Sequence, residues 1–163
     1  MGRRPVGFTM IELVVTVGIL VLLSGGAIVT YVDFRDRKQA LADVRLIWDH
    51  LKKVRTKSMA VEVPTGKLGV VNYEVVVGSD AIHTNVIVSD GTVADYVPVL
   101  NFSDGTEISS SVNPINFLAG SGSADGGAEI TVCGINKFKY TIDINTIGIV
   151  SDPVYVSTGE GCP

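Results

Sequence analysis

From Leu13 to Val32 no charged residue occurs, a run of twenty positions. At about 1.5 Å per helical residue such a run crosses a hydrocarbon core of roughly 30 Å. No second run of this kind follows. Beyond it Ala40, Leu41, Val44, Ile47, Trp48, Leu51, Val54 and Ser58 recur at helical spacing, which predicts an amphipathic continuation with one face on a core. No proline lies between Phe8 and Met59, and Pro64 and Gly66 supply a stop. One helix of about fifty residues, on the order of 75–80 Å long, is therefore expected. The pair Gly25-Gly26 interrupts it; each glycine weakens a helix by about 1 kcal/mol relative to Ala. The pair marks either a bending point or a close approach to a neighbouring helix.

After Pro64 the period changes from 3.6 to 2. "KLGVVNYEVVVG", "AIHTNVIVS", "TVADYVPVLNF", "PINFL", "AEITVC", "FKYTIDIN" and "GIVSDPVYVS" are rich in β-branched and aromatic residues. They are separated by turn signals such as "SDG" at 89–91 and 103–105, the pattern of an antiparallel sheet structure. Strands near 129–133, 138–144 and 147–150 alternate, with Ile130, Val132, Phe138, Tyr140, Ile142 and Ile144 as the expected inward set. The stretch "GSGSADGGA" at 120–128 reads as a flexible loop. The fold class is α+β: a long N-terminal helix, its first half fit for a membrane and its second half amphipathic, packed on a C-terminal antiparallel sheet or sandwich head.

Composition agrees with a membrane-embedded segment. The chain is 46% hydrophobic and 18% charged, with a mean hydropathy of +0.37, apolar for an ordinary soluble domain. Arg3 and Arg4 precede the run, so the positive-inside rule leaves a short N-terminus in the cytoplasm and the head outside it. The net charge of −4 hides a division. Residues 33–61 hold eight Lys/Arg against four Asp, whereas from Glu62 onward three Lys face twelve acids. A basic stem and an acidic head suit packing between copies or relatives, although solvated faces account for any single charge.

Both cysteines, Cys133 and Cys162, fall in the exported part. There they either join as a disulfide or remain as one buried thiol and one terminal thiol; mass before and after reduction separates the two. A bridge would contribute about 3–4 kcal/mol by loop-closure entropy.

Little else carries chemistry. His50 and His83 have no acid or cysteine at ligand spacing, so neither a metal site nor a catalytic triad is expected, and each reads as an ordinary surface or strand residue. "GSGSADGG" lacks the Lys-Ser/Thr ending of a phosphate loop and leads into a strand. No cofactor and no enzymatic activity is expected. Lys137 and Lys139, with Phe138 and Tyr140, form the one basic and aromatic cluster of the head, a candidate nucleic-acid contact that its acidic surroundings oppose.

The residues that do point somewhere are "RRPVGFTMIEL". A secretory signal is cleaved after its apolar region, behind small residues; here the small residue, Gly7, stands before it. Gly7-Phe8 followed by Glu12, the fifth residue counted from Phe8, resembles the class III signal of type IV pilins and type II secretion pseudopilins. The resemblance implies that a prepilin peptidase cuts after Gly7 and methylates the new amino group of Phe8. It also gives the acid a role. An ionised carboxylate in lipid costs several kcal/mol unless paired, and in a stack of subunits Glu12 of one can meet the Phe8 ammonium of the next. An acid one turn into the helix could also reach the headgroups, but this leaves the Gly-Phe junction without a reason.

Further along, Ile115, Phe117, Gly126, Gly127, Ile130, Val132, Tyr140, Ile142, Ile144, Gly148 and Val150 echo the strand pattern of minor pseudopilins and minor pilins of the GspH/FimT-like group. The stem lacks the proline of many major pilins, and the paired-aspartate calcium loop of major pseudopilins has no counterpart, so the resemblance favours a minor subunit. It implies a leader at 1–7, a membrane and assembly half of the stem at 8–32, an amphipathic half at 33–61 and an extracytoplasmic head at 62–163. The implied role is structural: the chain joins or primes a type IV pilus or type II secretion pseudopilus. Its partners would be other pilin or pseudopilin subunits, the prepilin peptidase, the inner-membrane assembly platform and, before assembly, membrane lipid. The other reading is a tip-exposed minor pilin that acts as a binding module toward DNA, a surface or a secreted substrate.

Overall fold

A computed structural model describes residues 7–63, 69–135 and 138–158, with the side chains of 25–29, 95–97 and 157–158 outside the description. Contacts divide the chain into one unit ending at Arg35 and a second beginning at Asp36. Helix α1 runs Met10–Ala60. The expected stop at Pro64 and Gly66 lies outside the described residues; the helix ends before it. Val61 adopts φ 49°, a left-handed conformation that is rare for a β-branched residue, and the amides of Val61 and Glu62 close back on Ser58 and Lys57. This exit is held from three sides. Lys57 Nζ lies 2.9 Å from Glu62 Oε2, Tyr73 donates its hydroxyl hydrogen bond to the Glu62 carbonyl, and the Gly120 amide donates to the Ser58 carbonyl.

The second unit is a helix half on two antiparallel sheets. The strands are β1 Val70–Val77, β2 Ala81–Val88, β3 Val93–Asn101, β4 Glu107–Ser110, β5 Ile115–Leu118, β6 Ala128–Cys133, β7 Phe138–Ile144 and β8 Val154–Thr158. One sheet has the order β3-β2-β1-β5, the other β4-β6-β7-β8. Period-2 alternation turns Tyr73, Val75 and Val77 of β1, Ile82, Val86 and Val88 of β2, and Ile115 and Phe117 of β5 inward. From the second sheet come Ile130, Val132, Tyr140, Ile142 and Ile144. Of the expected inward set, Phe138 alone is half-buried. These side chains form one cluster with Ala40, Val44, Ile47, Leu51 and Val54 of α1, and Leu41 and Trp48 pack against it. Ser58 is buried on the same stripe and returns its hydroxyl to the Arg55 carbonyl.

Three local differences from the sequence pattern have physical causes. The strand expected near 147–150 does not form, because a turn over 145–148 comes first: the Gly148 amide donates to the Asn145 carbonyl at 2.8 Å, and the Ile149 amide to Asn145 Oδ1 at 2.8 Å. Only Val150 bridges back, to Ile144, and β8 waits until Val154 because Pro153 has no N–H to give a ladder. The "EISS" strand β4 is additional, four residues paired to β6. The stretch 120–128, expected as a flexible loop, is a built turn. Leu118 and Asp125 donate to the carbonyls of Ser123 and Asn116, and buried Ala124 bridges Phe117.

Two of the buried polar groups tie the stem to the head. Asp43 is buried and accepts from Thr106 Oγ1 at 2.7 Å and Ser103 Oγ at 3.2 Å, which ties α1 to the β3–β4 connection. His50, expected as an ordinary surface residue, is buried with Nε2 2.8 Å from Thr84 Oγ1 of β2. His83 is exposed. Burial first, and the nearby Lys53 charge second, push the His50 pKa below its usual 6.5. The folded chain therefore resists a proton that the unfolded chain accepts, so stability present above about pH 6.5 falls as pH drops through the lowered folded value. The urea midpoint should fall from pH 7.5 to pH 5 by more in the wild type than in His50→Gln; equal falls would assign the acid sensitivity to carboxylates alone.

Candidate functional site

The start of α1 is where the candidate residues gather. Gly7, Phe8 and Thr9 precede the helix, and Glu12 is its third residue. Thr9 is the cap: its Oγ1 accepts from the Glu12 amide at 3.3 Å and its carbonyl from the Leu13 amide at 3.2 Å. With Glu12 three residues on, Thr-x-x-Glu matches a capping box, a signal already present in the sequence. The carboxylate also sits in the first turn, where the helix dipole favours negative charge. Glu12 thus has a local reason to be acidic, besides any partner in another molecule.

Around this acid the surface is uncovered and apolar. Phe8 is 74% and Met10 88% exposed, and Ile11, Leu13, Val14, Val15, Val17, Ile19, Leu20, Val21, Leu22 and Leu23 are exposed as well. A continuous apolar surface of this kind is rare on a soluble monomer and marks a site of contact with a membrane or another protein. The polar side chains within it are already satisfied: Thr16 Oγ1 donates to the Leu13 carbonyl at 2.9 Å and Ser24 Oγ to the Leu20 carbonyl at 2.6 Å. Neither hydroxyl would carry an unmet donor into an apolar medium. Among the described residues no helix is long and apolar enough to cross a membrane. The side chains of 25–29, Gly25-Gly26 among them, lie in the middle of the charge-free run and outside the description.

The remaining candidates are scattered. Cys133 is buried at the end of β6, and no free cysteine is found among the described residues; Cys162 lies outside them. Lys139 is half-buried in β7 opposite Cys133, and Lys137 lies outside the described residues. Lys139 belongs to the second unit, whereas Gly7, Phe8 and Glu12 belong to the first. Among the described residues no group of His, Cys, Asp or Glu is arranged to hold a metal ion.

No protein-family model matches the chain, and no curated protein does. Among solved structures it is similar to two of the minor pseudopilin EpsH from the type II secretion system of Vibrio cholerae. One covers 72% of this chain and 97% of its own with a TM-score of 0.56 at 6% identity. The other covers 78% and 99% with a TM-score of 0.50 at 7% identity. Identity this low speaks to the path of the backbone, which here is a long N-terminal helix followed by two antiparallel sheets. The chain has the α+β fold of a minor pseudopilin.

Proposed function

We propose that this chain is a minor subunit of a type II secretion pseudopilus or type IV pilus, with a structural and not an enzymatic role. One observation carries the reading: a pseudopilin fold whose helix is preceded by Gly7-Phe8, holds an acid, Glu12, in its first turn and then exposes an uncovered apolar surface. Cleavage after Gly7 frees an α-amino group on Phe8, which is then methylated. Before assembly the first half of the stem crosses the inner membrane once, with a short cytoplasmic N-terminus and the head outside. In the filament neighbouring stems replace lipid, and Glu12 pairs with the Phe8 ammonium of an adjacent subunit. The prepilin peptidase, an inner-membrane assembly platform and other pilin-like subunits are the partners this requires. In the exported head Cys133 pairs with Cys162 and staples the C-terminal segment to β6.

The test is the intact mass of the chain from membranes that also contain its peptidase. The expected species begins at Phe8, carries one added methyl group and gains two hydrogens on reduction. A product that still begins at Met1 sinks the filament reading. An unchanged mass on reduction sinks the disulfide alone.

A further inference from the structure

The two sheets end in four edge strands, β3, β5, β4 and β8, and three of them are guarded. β5 is covered by the 120–128 turn, where the Asp125 amide donates to the Asn116 carbonyl and the Leu118 amide to the Ser123 carbonyl, both at 2.9 Å. On β4 the Ile108 amide donates to the Ser79 carbonyl of the β1–β2 turn at 3.1 Å. β3 carries Asp95 and Pro98, a charge and a missing donor of the kind that keep an edge from pairing. β8 has none of these devices. Its residues are VYVST, and among the described residues no strand pairs with its side away from β7 and no backbone hydrogen bond is made there. Val154, Tyr155 and Val156 are 53%, 41% and 50% exposed, so apolar surface lies open on both faces of this edge. Such an edge is a template for another strand.

The charges beside β8 say what strand would fit. Arg37 Cζ stands 5.3 Å from the centre of the Tyr155 ring, and that ring packs at an edge angle on Tyr140, centres 5.3 Å apart. The stack holds the cation at the margin without removing its charge. Lys139 of β7 lies opposite Ser157, and alternation with buried Tyr140 turns it to the outward face. Neither cation has a carboxylate at ion-pair distance among the described residues. The acids lie toward the other end of the strand: Asp143 accepts the Ser151 amide through its carbonyl, and Asp152 follows. There the margin opens into a shallow groove of about 360 Å³ lined by Leu41, Arg45, Trp48 and Asp49 of α1 with Asp152 and Pro153. Leu41, Trp48 and Pro153 make an apolar seat in it.

We propose that β8 accepts an extended segment of a different protein as an added strand of its sheet, with acidic residues beside Arg37 and Lys139 and an apolar residue seated against Leu41, Trp48 and Pro153. Pairing is antiparallel, the more stable arrangement per residue. Backbone hydrogen bonds supply the affinity, and the alternate side chains select the partner. A second copy does not suit this edge. Pro153 lies by Arg45 and Tyr155 by Arg37, so β8 runs opposite to α1, and a copy paired antiparallel on β8 would have its α1 reversed. Subunits inserted in one membrane cannot meet in that way; the choice of a different protein therefore rests on the filament reading. The bridge proposed above ties the tail to Cys133 of β6, on the other side of β8 from the open edge.

Fluorescence anisotropy with the full-length chain in detergent tests it. The probe is a labelled peptide of about eight residues that alternates glutamate with valine and ends in leucine amide. The expected result is saturable binding that slows amide hydrogen exchange over Val154–Thr158 and not over β3. Of the two sets of alternate peptide amides, N-methylation of the one that faces β8 should weaken binding about tenfold or more, and of the other should leave it unchanged, because only one side of an added strand is bonded. Arg37→Glu should weaken binding by about fivefold, the limit for an exposed ion pair, and favour the counterpart peptide with lysine for glutamate. Val154→Glu with Val156→Glu, at exposed positions, should abolish binding while the circular dichroism spectrum stays the same. Absence of binding, or equal effects from the two methylated sets, overturns the proposal. A dimer of the chain that excludes the peptide and is lost in Val154→Glu with Val156→Glu also overturns it, since the occupant is then a second copy. If Arg37→Glu abolishes binding of a single-stranded oligonucleotide and leaves the peptide's affinity unchanged, the margin is a nucleic-acid surface and the proposal fails. The filament reading is tested apart from these outcomes, by the intact mass.

Discussion

Glu12→Gln should remove the chain from sheared filaments while leaving it in the membrane, with incorporation falling by about two to three orders of magnitude. The figure follows from breaking a buried ion pair by neutralising one partner, which costs about 3–5 kcal/mol, where each 1.4 kcal/mol is tenfold. Glutamine is the informative substitution because the helix start tolerates it. The bond from the residue 12 amide to Thr9 Oγ1 uses the backbone, and glutamine serves at the third position of a capping box as glutamate does. Thr9→Val supplies the opposite control. It deletes the cap hydroxyl, costs about 1 kcal/mol of local helix stability and leaves the charge, so incorporation should stay near the wild-type level. Quantitative immunoblotting of filament and membrane fractions checks both. If Thr9→Val is as damaging as Glu12→Gln, the acid matters for the helix start and not for a neighbouring subunit. Should the glutamine variant be incorporated normally, Glu12 has no assembly role.

What the chain's pattern made legible, and what it hid, divides by physical cause. The stem stripe from Ala40 to Ser58 could be read because one period runs through it, and Val44, Ile47, Leu51 and Val54 are wholly buried where that period puts them. The inward sets of β6 and β7 were legible for the same reason, at period 2. The burial of His50 and Asp43 was hidden because they are polar on an apolar stripe, although His50 lies three residues after Ile47 and Asp43 three after Ala40, at spacings that share a face. Their acceptors and donors, Thr84, Ser103 and Thr106, come from distant strands and turns. Nothing local announces such partners. Strand β4 escaped because four residues with one apolar side chain, Ile108, give no alternation to count.

The candidate site divides differently. Gly7, Phe8 and Glu12 are adjacent in the chain, so their order was open to reading without any fold. The cap that Thr9 provides was also open to reading, but Glu12 already had another explanation. Which stem acids turn inward was beyond reach: Asp36 and Asp43 do so only because the fold offers them a buried place.

The second large effect is expected at Gly148, where alanine should lower the unfolding free energy by about 3 kcal/mol or more. Two costs add there. The residue has φ +77°, a left-handed conformation worth about 1–2 kcal/mol against an L side chain. A Cβ would also stand 1.9 Å from the Gly122 carbonyl oxygen, a backbone atom that cannot rotate away, and overpacking of this kind costs about 1–3 kcal/mol. Gly126 separates the two costs. It has φ +92° but no atom within 4 Å of an added Cβ, so Gly126→Ala should show the conformational part alone, about 1–2 kcal/mol. Denaturant midpoints of the two variants against the wild type make the comparison, at unchanged slope. The close approach at Gly148 presses the turn after β7 against the 120–128 turn, which itself donates the Gly120 amide to the Ser58 carbonyl at the end of α1. Gly148→Ala should therefore loosen the helix exit as well, and amide hydrogen exchange at Gly120 should quicken in it and not in Gly126→Ala. Equal midpoints for the two variants would mean that the 120–128 turn yields to the new methyl group, and that the two turns are not locked together.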